Sequence, residues 1–188
     1  AGDVIPKIKQ NLSHYEIPKH CPSCGEDLKR ENGILYCENP DCIGKLEAQI
    51  VYFASRNAMN IDGLGENVAH DLVAKGFIKN LADIYRLKEK LTDESKSTQN
   101  LLKAIDQSKQ NNPERILIAL GINGVGNSAA QDLIQNFQTI ERISNATREE
   151  LLNVKDLGET TADSIKNFFA DPKNKTLIED LKNLGLKI

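Results

Sequence analysis

A mostly α-helical fold of short tandem repeats behind a small cysteine-bearing unit is predicted by three observations. A glycine phrase recurs along the chain. Each copy is followed by an alanine and an apolar residue at helical spacing. All four cysteines fall in one short segment. The phrase reads Ile61-Asp62-Gly63-Leu64-Gly65 with Ala69, then Ile122-Asn123-Gly124-Val125-Gly126 with Ala130, then Val154-Lys155-Asp156-Leu157-Gly158 with Ala162. Seven residues past the last glycine of each copy stands Leu72, Leu133 or Ile165. Glycine lets a backbone turn tightly and lets a ligand approach closely. The helix that follows starts with unpaired N–H groups and a partial positive charge, which favour an anion such as a phosphate oxygen. Each copy therefore predicts a helix–hairpin–helix unit.

The elements follow in chain order. Residues 1–17 hold a strand-like stretch, Val4 to Ile8, interrupted by Pro6. It is too short to fold alone and reads as the tail of a larger unit. Residues 18–48 carry Cys21, Cys24, Cys37 and Cys42 in the spacing C-x2-C-x12-C-x4-C. Two such pairs close a tetrahedron around a metal, and four thiolates leave no position open for water. A small four-cysteine zinc finger with a structural, non-catalytic Zn²⁺ is the expectation; a disulfide pair or four unrelated thiols are the alternatives. Gly25 suits the tight knuckle, and Ile34-Leu35-Tyr36 leads into Cys37 as a strand. His20, beside Cys21, is not needed as a fifth ligand.

From about Leu46 the pattern turns helical: Ile50, Val51, Phe53 and Ala54 share one face. A helix over Val68 to Val73 ends at Gly76, and Leu81 to Leu87 makes another. Leu101, Leu102 and Ile105 continue the pattern. Pro113 suits the first turn of a helix through Ile116, Leu117 and Leu120. Residues 106–112 and 171–175 read as polar loops.

Gly158 follows Gly126 by 32 residues, and a step of 32 back from Gly126 lands on Glu94. Beyond it Thr98 takes the alanine place and Leu101 the apolar one. This is a further repeat, second in order, with its hairpin glycines lost. A period near 32 means one supersecondary unit per repeat. Residues 49–188 are thus expected to form a domain of four repeats, the second degenerate, packed as two pairs. Phosphate contact is expected at Gly63, Gly65, Gly124, Gly126 and Gly158. At the degenerate copy Glu94 would set a carboxylate against the phosphate. Valine at Gly65 or Gly126 is expected to crowd the phosphate and strain φ.

The formal net charge of −3 argues against a basic nucleic-acid coat, although backbone N–H groups carry no formal charge. No apolar run is long enough to span a bilayer, and the start is not a signal peptide, so the chain reads as soluble and cytoplasmic. No nucleophile–base pair or open metal site stands out. Asp62, His70 and Asp71 are explained by an ordinary solvated helix.

Together these residues resemble the C-terminal half of bacterial NAD-dependent DNA ligase. Gly2-Asp3-Val4-Ile5-Pro6-Lys7 resembles the last strand of that family's oligonucleotide-binding (OB) barrel. Cys21-Pro22-x-Cys24-Gly25 with Cys37 and Cys42 resembles its zinc finger. Phe53-Ala54-Ser55-Arg56-Asn57-Ala58-Met59-Asn60-Ile61-Asp62-Gly63-Leu64-Gly65 is similar to its phrase at the first hairpin, which adds Arg56 to the expected DNA-binding residues. The sequence departs from the family at Ile43-Gly44-Lys45, usually Pro-Ala-Gln, and at Tyr52, where His is common. The family's Lys-x-Asp-Gly adenylation phrase is absent here, so no catalytic residue is assigned.

The resemblance implies a monomeric DNA-clamping piece of a ligase used in replication and repair. NAD and Mg²⁺ would serve the parent enzyme but not bind this piece, whose partners are nicked duplex DNA and the missing adenylation and OB domains. The alternatives are a non-ligase DNA-repair or junction-binding protein and a zinc-stabilised protein-docking module.

Overall fold

A computed structural model describes residues 17–188. The expected strand Val4 to Ile8, and with it nearly all of the barrel tail, lies outside the described residues. Those described fall into two compact units that divide between Cys42 and Ile43.

The first unit is a two-stranded antiparallel ribbon with both cysteine pairs at the end away from its turn. Strands β1 (Leu28–Glu31) and β2 (Ile34–Cys37) pair with Leu28 opposite Cys37 and Glu31 opposite Ile34. Between them Asn32 and Gly33 both take positive φ, +50° and +83°. A two-residue loop with both central residues left-handed matches the right-handed twist of the strands.

The second unit is all helical. Its α-helices are α1 (Ile43–Ala54), α2 (Glu66–Ala74), α3 (Lys96–Ser108), α4 (Pro113–Ala119), α5 (Asn127–Phe137), α6 (Ile140–Asn145), α7 (Arg148–Leu152), α8 (Glu159–Ala170) and α9 (Pro172–Asn183). A 3₁₀ helix, Leu81–Glu89, precedes α3. Tandem helix–hairpin–helix repeats behind a small four-cysteine unit are therefore the observed fold.

Three boundaries differ from the sequence reading. Helix α1 begins at Ile43, directly after Cys42, rather than near Leu46. Helix α3 continues through Asp106 to Ser108, into the stretch read as a loop. Residues read as a polar loop near 171–175 open α9: Asp171 is its N-cap, accepting from Lys173 N, and Pro172 takes the first turn. Polar residues at a helix start look like a loop in composition.

One continuous apolar core runs through the helical unit from Ile50 to Leu186. The three phrase alanines, Ala69, Ala130 and Ala162, are each fully buried. Ala69 N donates to Gly65 O, and Ala130 N and Ala162 N do the same to Gly126 O and Gly158 O. The alanine thus closes the first helical bond where two helices meet. A larger side chain there overpacks the core at a cost of about 1–3 kcal/mol. No helix among the described residues is long and apolar enough to cross a membrane.

Candidate nucleic-acid interface and cysteine cluster

The three glycine hairpins share one construction. In each phrase the first and fourth residues are buried: Ile61 and Leu64, Ile122 and Val125, Val154 and Leu157. The fourth N–H donates to the first carbonyl at 3.4, 3.0 and 3.2 Å respectively. The third residue has φ of +86° at Gly63, +81° at Gly124 and +58° at Asp156. These are turns with only the third residue left-handed, the type II pattern, which favours glycine there. Asp156 holds the same place as the glycines, since a short polar side chain tolerates this region better than most.

Packing separates the glycines further. A Cβ on Gly63 would touch Leu101 of α3 at 3.7 Å. One on Gly124 would press into the Thr161 hydroxyl of α8 and lie 3.1 Å from Thr161 Cβ. The first hairpin thus backs onto the second repeat, and the third onto the fourth.

The second glycines behave otherwise. Gly65, Gly126 and Gly158 have φ of −89°, −94° and −79°, extended backbone open to any residue. The expected φ strain at Gly65 and Gly126 is therefore corrected: the strain belongs to Gly63 and Gly124. A Cβ at any of the three would meet nothing within 4 Å. Each is the N-cap of its helix and makes no side-chain cap bond. Nothing within the described residues demands glycine at these three positions. Ser, Thr, Asn or Asp would cap better by a few tenths of a kcal/mol, and elsewhere the chain uses them: Asn80, Ser95, Thr139, Thr147 and Asp171 all cap with their side chains.

The second repeat closes its own helix start. Ser95, not Glu94, is the N-cap of α3, and its Oγ accepts from Thr98 N at 3.3 Å. Asp93 folds over the same end. Its Oδ1 accepts from Ser95 N at 2.9 Å, and its Oδ2 accepts from Ser95 Oγ at 2.6 Å and Thr98 Oγ1 at 3.0 Å. These bonds, the Ser95 hydroxyl first, hold the Asp93 carboxyl below its usual range. Thr98 is half-buried and Leu101 buried, so the core register follows the sequence period although the helix cap is one residue later.

Arg56 is exposed beside the first hairpin, and its carbonyl accepts from the Arg115 guanidinium. His70, on α2, pairs through Nδ1 with Glu47 Oε1 of α1 at 2.9 Å.

In the first unit the four thiols converge. Cys21 Sγ lies 3.8 Å from Cys42 Sγ, and Cys24 Sγ 3.5 Å from Cys37 Sγ. All four sulfurs fall within 4.8 Å of one another, and none is in a disulfide. Metal–sulfur bonds of about 2.3 Å in a tetrahedron put sulfurs about 3.8 Å apart, so the set is able to hold one metal ion. The knuckle is built by Gly25, at φ +78°, whose N–H donates to Cys21 O at 2.8 Å. The N–H groups of Ser23 and Cys24 draw the Cys21 thiol down to about 6. Burial, aided by the neighbouring thiols, pushes Cys37 up to about 12. His20 is not in the cluster; it pairs with Asp27 at 2.9 Å.

Fold and site together define a tandem helix–hairpin–helix protein with a four-cysteine knuckle. Comparison with known proteins agrees with that class. A helix-hairpin-helix motif family matches residues 115–178, which span the third hairpin and the fourth. Along the whole chain the similarity is to DNA ligases. The DNA ligase of Methylacidiphilum infernorum is 43% identical over 99% of this chain. That of Oceanobacillus iheyensis is 40% identical over 100% of it, and that of Bacillus subtilis 38% identical over 99%. The chain spans 29% to 30% of the length of these relatives.

Proposed function

We propose that this chain is the DNA-gripping segment of the C-terminal half of an NAD-dependent DNA ligase, which holds nicked duplex for strand joining in replication and repair. The observation that carries the reading is the trio Gly65, Gly126 and Gly158. Each leaves a helix start uncapped, with room for an outside group to approach the backbone and no internal reason to be glycine. A phosphate oxygen fits such a place by charge and by hydrogen bonding. Backbone donors read phosphates and not bases, so the grip is independent of sequence. Arg56 adds a cation beside the first hairpin. The whole-chain likeness to DNA ligases supports the parent activity. Adenylation belongs to the rest of that parent, and this segment takes no part in it. The segment acts as a monomer in the cytoplasm.

The four cysteines hold one structural Zn²⁺. It fixes the first unit and carries no chemistry. Removing it by chelation, or by Cys37→Ser, removes on the order of 10 kcal/mol of folding free energy from that unit. Metal analysis and the melting of the two units check this. One zinc per chain is expected, with the helical unit keeping its melting transition.

Fluorescence anisotropy with two nicked duplexes of unrelated sequence, at rising salt, tests the main reading. Equal affinities are expected. If roughly four to six phosphates are engaged by nearby cations, log K falls against log[salt] with a slope of about −4 to −5. No binding, or strong preference for one sequence, overturns it.

A further inference from the structure

The helical unit has two halves, each a pair of repeats: residues 43–112 and 113–188. They share the apolar core, Lys187 Nζ donates to Gln110 O at 2.8 Å, and helices of the two halves pack together at two places. At one, α1 packs on α4, Tyr52 lies against Gly121, and the Arg115 guanidinium donates to Arg56 O. At the other, the 3₁₀ helix of the second repeat packs on α9, the last helix of the fourth.

The second contact holds an unusual group. Asp83 is 8% exposed, one of two polar side chains buried among the described residues. A buried carboxylate is costly unless paired and hydrogen-bonded. Its Oδ2 accepts from Lys79 N at 2.9 Å, and its Oδ1 accepts from Arg86 Nη1 at 3.2 Å. The other arm of the same guanidinium, Nη2, reaches Asp180 Oδ1 of α9 at 3.2 Å. Arg86 thus spends one arm on its own half and the other on the opposite half. Its planar fork makes the aim rigid in a way an ammonium would not. The 3₁₀ helix that carries it runs Leu81–Glu89, longer than such helices usually persist. That stretch brings Asp83 and Arg86, three residues apart, onto one face, since side chains at i and i+3 eclipse in this geometry.

We propose that Arg86, aimed by Asp83, is a positioning residue for DNA: it latches the two hairpin pairs at one fixed angle, so that both engage the same duplex together. This rests on the hairpins being the DNA grip. Two weak phosphate-binding surfaces on one rigid frame bind far more tightly than either alone, and the gain disappears when the frame no longer holds them to a common geometry. The shared core and the α1–α4 contact hold the halves together, and the Arg86–Asp180 pair is the latch that fixes their angle.

Two variants, Arg86→Met and Asp180→Asn, are titrated with nicked duplexes of two lengths, one able to span both hairpin pairs and one too short to do so. On the long duplex each variant is expected to lose affinity by about tenfold or more. Each should also give a shallower salt slope, because fewer phosphates are engaged at once. On the short duplex each should match the unaltered chain. Asp180→Asn is the stricter arm. It removes a negative charge and would tighten DNA binding by simple electrostatics, whereas the latch predicts weakening. It also carries the test if Arg86→Met fails to fold. Unchanged affinity and slope on the long duplex, or equal losses on both lengths, overturns the latch. Failure of the unaltered chain to bind either duplex overturns the DNA reading instead.

Discussion

At the start of α3 the Ser95 hydroxyl accepts from Thr98 N, and the Asp93 carboxylate folds over the same end to accept from Ser95 N and the Ser95 hydroxyl. At the start of α5, one repeat later, Gly126 offers no side chain, and space lies open in front of it. The two places are equivalent in the repeat. In one the chain supplies its own carboxylate; in the other the place is left for an outside anion. A carboxylate and a phosphate oxygen are alike in charge and in the bonds they accept. The contrast therefore assigns the second repeat a supporting role: its α3 carries the first hairpin through Leu101 against Gly63, while its own end is closed.

The largest effect that sharpens this contrast is at Gly124. Valine there takes a left-handed φ of +81° and drives its Cβ into Thr161. The strain alone costs about 1–3 kcal/mol, and overpacking against α8 adds a similar amount. Thermal or urea unfolding should show a drop of about 2–5 kcal/mol together with lost DNA binding, which separates Gly124 from Gly126, where stability barely changes.

The smallest effect is at Asp156, which holds the same left-handed place at φ +58°. Asp156→Gly relieves that strain and should stabilise the helical unit by about 0.5–1 kcal/mol, net of the greater chain entropy of glycine. It also removes a negative charge from the fourth hairpin, so DNA affinity should rise slightly. Urea unfolding and anisotropy read the two effects. A stability loss would mean that the Asp156 side chain, and not the turn type, holds the fourth hairpin.

Much of this architecture is legible in the residues. The buried–exposed–exposed–buried order of Ile61 to Leu64, the alanine that follows and the apolar residue beyond it are local, so the repeat was readable three times over. The cysteine spacing is equally local. What escaped was of two kinds. Some features do carry a local signature: Asn32-Gly33 between Arg30-Glu31 and Ile34-Leu35 is a hairpin loop, and Asp171-Pro172 is a helix start. Others have no local signature. Asp93 reads as one more acid in a polar run, and only its bonds to Ser95 and Thr98 reveal a cap. The difference between Gly63 and Gly65 is likewise invisible in composition: one is glycine for its left-handed φ, the other lacks that reason. The Arg86–Asp180 pair joins residues far apart in the chain, and neither partner stands in a motif.

The central claim is that an open glycine cap binds phosphate and a self-capped end does not. The direct measurement pairs Gly126→Val with Asp93→Ala, each read by thermal melting and by anisotropy on nicked duplex. Gly126→Val should lose affinity by tenfold or so while unfolding changes by only about 0.5–1 kcal/mol, the difference between glycine and an apolar N-cap. Asp93→Ala should lose stability by about 1 kcal/mol, as one cap's worth of bonds is removed, with DNA affinity unchanged or slightly tighter. The reverse pattern, with Asp93→Ala weakening DNA binding and Gly126→Val leaving it intact, would contradict the account.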